Sequence, residues 1–334
     1  MKYVLAPLAG FTNAAFRRLC SRRGAMLTYT EMVSAAGLAH GSSPTRHLME
    51  LLPEEGPVVC QIFGSIPEEL AFAAREISLL RRTAPDGSDM PRFVAIDLNA
   101  GCPMSKIVKE GAGAALARDP QLVFDCLKAI KGETPLPVTL KTRPGPRPDR
   151  ILLKELLAAA EDAGCSGITL HARFTSQMHC GDVHLDLLAE LVRMAKIPVM
   201  GNGGVYNRKT AAAMAETGVS AIMIGRAAMA NPWIFDDLCD ERPSEVLEAP
   251  ERRMALQNEA FREHLASALE LRERLVQRFP GDHVPSADDF ASFTLHTHLF
   301  RYFSRRQNAA GIRKRIGEMR TLAEIRAFAG EMTT

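Results

Sequence analysis

The segment Asn99-Ala-Gly-Cys-Pro sets a cysteine between a glycine and a proline, directly after the apolar run 93–98. Glycine lets a backbone approach a flat partner closely and proline stiffens the exit, so Cys102 reads as a thiol on a mount. An unperturbed thiol titrates near ~8.5, so at neutral pH it is mostly protonated yet acidic enough to donate. Other polar residues end similar apolar runs: Gln61, Lys141 with Arg143, His171 with Arg173, then Asn202-Gly203-Gly204 and Gly225-Arg226. A lysine at a strand end is costly to bury unless it meets negative charge. The last two groups put glycine N–H donors where an anion can sit, with Arg226 beside them, which is a phosphate signature.

These side chains need a scaffold that brings strand ends to one place. β-rich apolar runs recur at 3–9, 26–32, 57–63, 93–100, 137–143, 167–173, 197–204 and 221–228, separated by segments at helical spacing such as 67–82 and 186–195. Apolar strands alternating with helices predict parallel βα units, and eight of them predict a (β/α)8 TIM barrel with its chemistry at the C-terminal ends of the strands. A doubly wound sheet would call for a G-x-G-x-x-G turn after an early strand, and 6–12, APLAGFT, does not supply one. Beyond about 241 the β signals stop, and 250–279, 288–306, 309–320 and 321–332 read as helices. The expected organisation is a barrel over 1–240 and a small C-terminal helical domain over 241–334.

At the mouth of such a barrel, a lysine, a histidine donor and a glutamine able to meet a pyrimidine-like edge, beside a phosphate site, together point to FMN. Formal net charge is only +2, so any nucleic-acid surface must be a local patch. The tail offers one in Arg301, Arg305, Arg306, Arg313, Lys314, Arg315 and Arg320, with Glu318 the only acid among them. Seven cysteines without a C-x-x-C pair or zinc spacing argue for reduced thiols, a cytoplasmic setting and no metal. No apolar run approaches the ~20 residues of a membrane helix.

The stretches LAPLAGFTNAAFRRLC, TEMVSA, NAGCPMSKIVKEGAGAAL, LKTR, LHARFTSQMHCG, GNGG and GRAAMANPWIF stand in the order and spacing of the tRNA-dihydrouridine synthase (Dus) family, which the chain resembles across the barrel. The resemblance implies an FMN enzyme that reduces the C5=C6 bond of a uridine in tRNA with NADPH (or NADH). Hydride would pass from flavin N5 to C6 and a proton from Cys102 to C5. It puts Pro7, Leu8 and Ala9 against the flavin, Gln61, Lys141 and His171 on its ring, and Asn202, Gly203, Gly204, Gly225 and Arg226 on its phosphate. Asn99, Arg143 and Arg173 would face the substrate. A monomer with tRNA as partner is expected. The chain departs from the family pattern at Leu8, Asn13, Phe174, His179 and the proline-rich 144–148. The last three border the expected RNA entrance and leave the target nucleotide open. A same-barrel flavin enzyme acting on a free small molecule, and a variant acting on ribosomal RNA, remain alternatives.

Overall fold

The computed structural model describes residues 1–84, 87–242, 244–247, 249–304 and 308–332. The predicted strands form β1 (Tyr3–Leu5), β2 (Thr28–Tyr29), β4 (Val58–Phe63), β7 (Ala95–Ala100), β8 (Val138–Thr142), β9 (Gly167–His171), β10 (Val199–Asn202) and β11 (Ala221–Ile224). Three strands lie outside the predicted set: β3 (Val33–Ser34), which adds to β4, and an antiparallel pair, β5 (Arg81–Thr83) and β6 (Asp89–Pro91).

The main sheet runs β1-β11-β10-β9-β8-β7-β4-β2, all parallel. The ring closes where Val4 bridges Leu27, just ahead of β2, with Leu5 N donating to Leu27 O at 2.9 Å. The (β/α)8 barrel is therefore observed. Successive side chains of a strand point to opposite faces, so alternate residues fill the barrel interior in layers. Val4, Tyr29, Val59, Ala95 and Met223 pack together as an apolar floor. Two residues further along β4 and β7 come Gln61 and Asp97, and two further along β7 comes Asn99 at the mouth.

The predicted tail helices appear as Pro250–Arg278, Ala287–Tyr302, Ala309–Glu318 and Leu322–Glu331. Arg305 and Arg306, part of the expected basic patch, lie outside the described residues. Helix Pro250–Arg278 packs along helix Ala14–Arg22. Arg18 reaches Ser267 Oγ at 2.7 Å and Glu270 at 2.7 Å, and the buried Glu50 draws Arg92, Arg274 and Arg278. Leu295, Leu299, Phe303 and Phe328 of the tail belong to the same hydrophobic cluster as the barrel's outer shell. None of the described helices is long and apolar enough to cross a membrane.

Candidate active site

A cavity of about 1120 Å³ opens at the C-terminal ends of the strands and extends towards the tail. Cys102 lines it, partly exposed, on a loop fixed from several sides. Asn99 Oδ1 accepts from Gly101 N (3.0 Å) and Cys102 N (2.9 Å), and Cys102 O accepts from Ala114 N (2.9 Å). The downstream Gly-Ala-Gly explains itself here: Gly113 has φ +60°, and a Cβ on it would fall 2.7 Å from Cys102 O. Burial raises the Cys102 thiol above its usual range, partly offset by a Met104 backbone N–H and by the charges of Arg143 and Lys141. That keeps it protonated, which suits a proton donor and not a nucleophile.

On the neighbouring strand β8, Lys141 Nζ donates to Asn202 Oδ1 at 3.1 Å, and Asn202 Nδ2 is anchored on Met223 O at 2.8 Å. Burial pushes Lys141 down to about 8, and Arg143 adds to the shift while Asp97 opposes it. His171 is held well below its ordinary value by burial and by Lys141, Arg143 and Arg173, so it stays neutral and can donate from one nitrogen. Arg173 is buried with Nε on Gly181 O at 3.0 Å, and its Nη1 has no hydrogen-bond partner. Arg226 also stands on the cavity wall, and burial with these cations lowers the neighbouring His179, so Lys141, Arg173 and Arg226 gather charge of one sign here. A buried donor left without a partner marks a site that an anion completes.

Gly203 (φ +115°) and Gly204 (φ +72°) adopt backbone that side chains avoid, and a Cβ on Gly203 would come 2.9 Å from the His171 ring. Their hollow beside Gly225 and Arg226 fits a phosphate, and the cationic wall fits an electron-rich ring system, so the donor set suits a flavin mononucleotide.

Pro7, Leu8, Ala9, Asn99, Cys102, Lys141, His171, Arg173, Asn202, Gly203, Gly204, Gly225 and Arg226 are brought together around this cavity. Gln61 sits one layer below, fully buried, donating to Asp97 Oδ2 at 2.7 Å and accepting from Asn99 Nδ2 at 2.9 Å. Arg143 is turned to the backbone, with Nε on Gly101 O at 2.8 Å and Nη1 on the carbonyls of Arg173 and Phe174. Sequence reasoning passed over Asp97, although an acid sharing strand parity with Asn99 was a visible signal. It also passed over Phe11, Tyr302 and Trp233, the single tryptophan, which line the same cavity. Only the fold shows that His298 Nε2 donates to Phe11 O at 3.2 Å and that Arg301 stacks 5.3 Å from the Phe11 ring centre, so that the tail braces the 7–11 loop.

A closed parallel barrel that gathers a protonated thiol and an anion-hungry wall at its strand ends has the layout of a (β/α)8 enzyme. A family profile described as Dihydrouridine synthase (Dus) matches residues 4–278. The chain belongs to the dihydrouridine synthase family. It is 38% identical over 240 residues to a probable tRNA-dihydrouridine synthase of Treponema pallidum, covering 69% of this chain and 68% of that one. It is 32% identical over 302 residues to another from Aquifex aeolicus, covering 88% and 90%. The solved old yellow enzyme of Trypanosoma cruzi is similar more distantly, at TM-score 0.46 and 14% identity over 72% of this chain and 89% of that one.

Proposed function

We propose that this chain is an FMN-dependent tRNA-dihydrouridine synthase that reduces the C5=C6 bond of a uridine with NADPH or NADH as the electron source. The observation that carries the reading is the cavity, whose wall gathers a mounted, protonated Cys102 together with Lys141, His171, Arg173 and Arg226. The 7–9 segment and Lys141 with His171 would hold the flavin ring, and Asn202 to Gly204 with Gly225 and Arg226 its phosphate. When bound and reduced, the flavin supplies a hydride to uracil C6. Cys102 then delivers its proton to C5, and the thiolate left behind is stabilised by Arg143 and Lys141 until water restores the proton. Arg173 Nη1 orients the base, while Asn99 holds the loop that carries the thiol. A uridine stacked in RNA must first be extruded, at a few kcal/mol that contacts to RNA phosphates offset. Arg301, Arg313 and Lys314 on the tail are the exposed cations placed to make them. Such a substrate would be met in the cytoplasm by a monomer.

The test is direct. Purified protein should be yellow, bleach with NADPH and form dihydrouridine in tRNA lacking it, with free uridine and orotate untouched. Mapping dihydrouridine by mass in total RNA from cells with and without the gene names the site. Colourless protein that takes up no FMN, or turnover of free pyrimidine alone, overturns the reading.

A further inference from the structure

Beneath the cavity lies a carboxylate that the proposed chemistry does not touch. Asp97 is fully buried in the barrel interior, and its two oxygens are both occupied: Oδ1 by Thr139 Oγ1 at 2.5 Å and Oδ2 by Gln61 Nε2 at 2.7 Å. Burial pushes its carboxyl up to about 6, with Gln61, Thr139 and Lys141 opposing, so at neutral pH it is ionised and can only accept. Gln61 must therefore turn its NH₂ to Asp97, its register partner, and its carbonyl up towards Asn99. The carbonyl accepts from Asn99 Nδ2 at 2.9 Å, which leaves Asn99 Oδ1 facing the N–H groups of Gly101 and Cys102 at 3.0 and 2.9 Å. Reverse either amide and acceptor meets acceptor on one side of it while donor meets donor on the other.

We infer that Asp97 is a positioning residue that anchors the Gln61–Asn99 amide relay inside the barrel and so holds the backbone of Cys102 at the cavity wall. The inference rests on the reading of Cys102 as the proton donor. It adds that the placement of the thiol depends, through two intervening side chains, on an acceptor-only group locked inside the barrel. The two backbone N–H groups orient the Asn99 amide from one end of the line, and the acceptor-only carboxylate anchors the Gln61 amide from the other.

The test labels flavin-free protein with iodoacetamide at pH 7.5 and follows each cysteine by peptide mass. Buried Cys60, Cys126 and Cys165 report any general loosening, and exposed Cys180 calibrates the reagent. Asp97→Leu removes the acceptor, so Asn99 releases its grip and Cys102 should label about tenfold faster, the effect of losing one such hydrogen bond. The three buried thiols should stay silent. Asp97→Asn keeps an acceptor for Gln61 if its own NH₂ turns to Thr139, whose hydroxyl can also accept. Cys102 should then stay within about twofold of wild type. If Asp97→Leu does not accumulate as folded protein, Gln61→Leu cuts the same relay one residue later and decides in its place, with the same expected rate. With RNA, the relay-cutting variant should lower kcat and leave KM unchanged. Wild-type labelling in the relay-cutting variant, equal labelling in the Asn and Leu variants, or parallel labelling of the buried thiols would overturn the inference. Because the labelling needs neither flavin nor RNA, it stands or falls apart from the proposed reaction.

Discussion

The barrel interior holds two polar layers of opposite character. In the lower one, Asp97, Gln61 and Thr139 satisfy one another at 2.5–2.7 Å, and Gln61 accepts from Asn99 above at 2.9 Å. In the upper one, Lys141, Arg173 and Arg226 bring charge of one sign to the cavity wall, and Arg173 keeps a buried donor with no partner. The lower layer is finished by the chain alone and can act as a rigid mount. The upper layer is completed only by something negative, which is the demand an anion-binding site makes. The difference separates residues that position from residues that bind, and each variant below tests one side of it.

The largest effect belongs to Cys102, which the lower layer mounts for work in the upper. Cys102→Ala should leave flavin binding and its reduction by NADPH intact while dihydrouridine formation falls by roughly 10²- to 10⁴-fold, the usual share of a general acid. Rapid-mixing absorbance reads the first and RNA mass mapping the second. Unchanged turnover on RNA would remove Cys102 from the chemistry.

Next comes Gly203, on the binding side. Alanine there meets the φ of +115° and a 2.9 Å contact with the His171 ring. Two such penalties should weaken FMN by about 10- to 100-fold. Trp233 lines the cavity and is the only tryptophan, so quenching of its emission on titration with FMN is the measurement. Full affinity in Gly203→Ala would place the phosphate elsewhere.

Lys141 sharpens the comparison through stability. Its ammonium is pushed down to about 8 from an unfolded value of 10.5. Between those pH values the unfolded chain holds a proton that the folded chain has released, so flavin-free stability should rise as pH climbs through that window. At pH 7 the folded protein carries the whole penalty. Lys141→Met should therefore stabilise the flavin-free protein at pH 7 by about 1–2 kcal/mol, a figure discounted because the side chain is only part-buried, and should abolish the rise above pH 8. The same variant should bind FMN about tenfold more weakly. Urea titrations across pH 7–10 check the first, and loss of stability in the variant would make Lys141 part of the mount.

The finished layer was also the harder one to foresee. The barrel strands stand out because strands covered on both faces are continuous apolar runs, and the tail helices because their apolar residues recur at helical spacing. Residues of the mouth stand out because they end those runs. Asp97 was hidden inside one, and what gives it meaning is its contact with Gln61 from a strand 36 residues away. Arg143 shows the same limit: its side chain is committed to carbonyls at 101, 173 and 174 that only the closed barrel brings near. The β5–β6 pair has no alternating pattern at all and is fastened by Arg81 on Asp89 at 2.8 Å.

The smallest effects lie on the tail, where the same division between occupied and available charge applies. Arg315 is bound to Glu331 and stacks 5.2 Å from the Phe328 ring centre, and Arg320 donates to the carbonyls of Gly317 and Met319. Arg313 is exposed, and Lys314 is 80% exposed with Glu318 only at 4.0 Å. Counting basic residues along the sequence treats these four alike; their contacts do not. Arg313→Gln with Lys314→Gln should weaken tRNA binding a few-fold at about 0.15 M salt and reduce the slope of log K against log salt by roughly 1.5, since each lost phosphate contact removes ~0.7–0.9. Arg315→Gln should leave that slope unchanged, because its charge is already spent within the chain. Filter binding across a salt series separates the two, and equal slopes for both variants would move the RNA footprint off this helix.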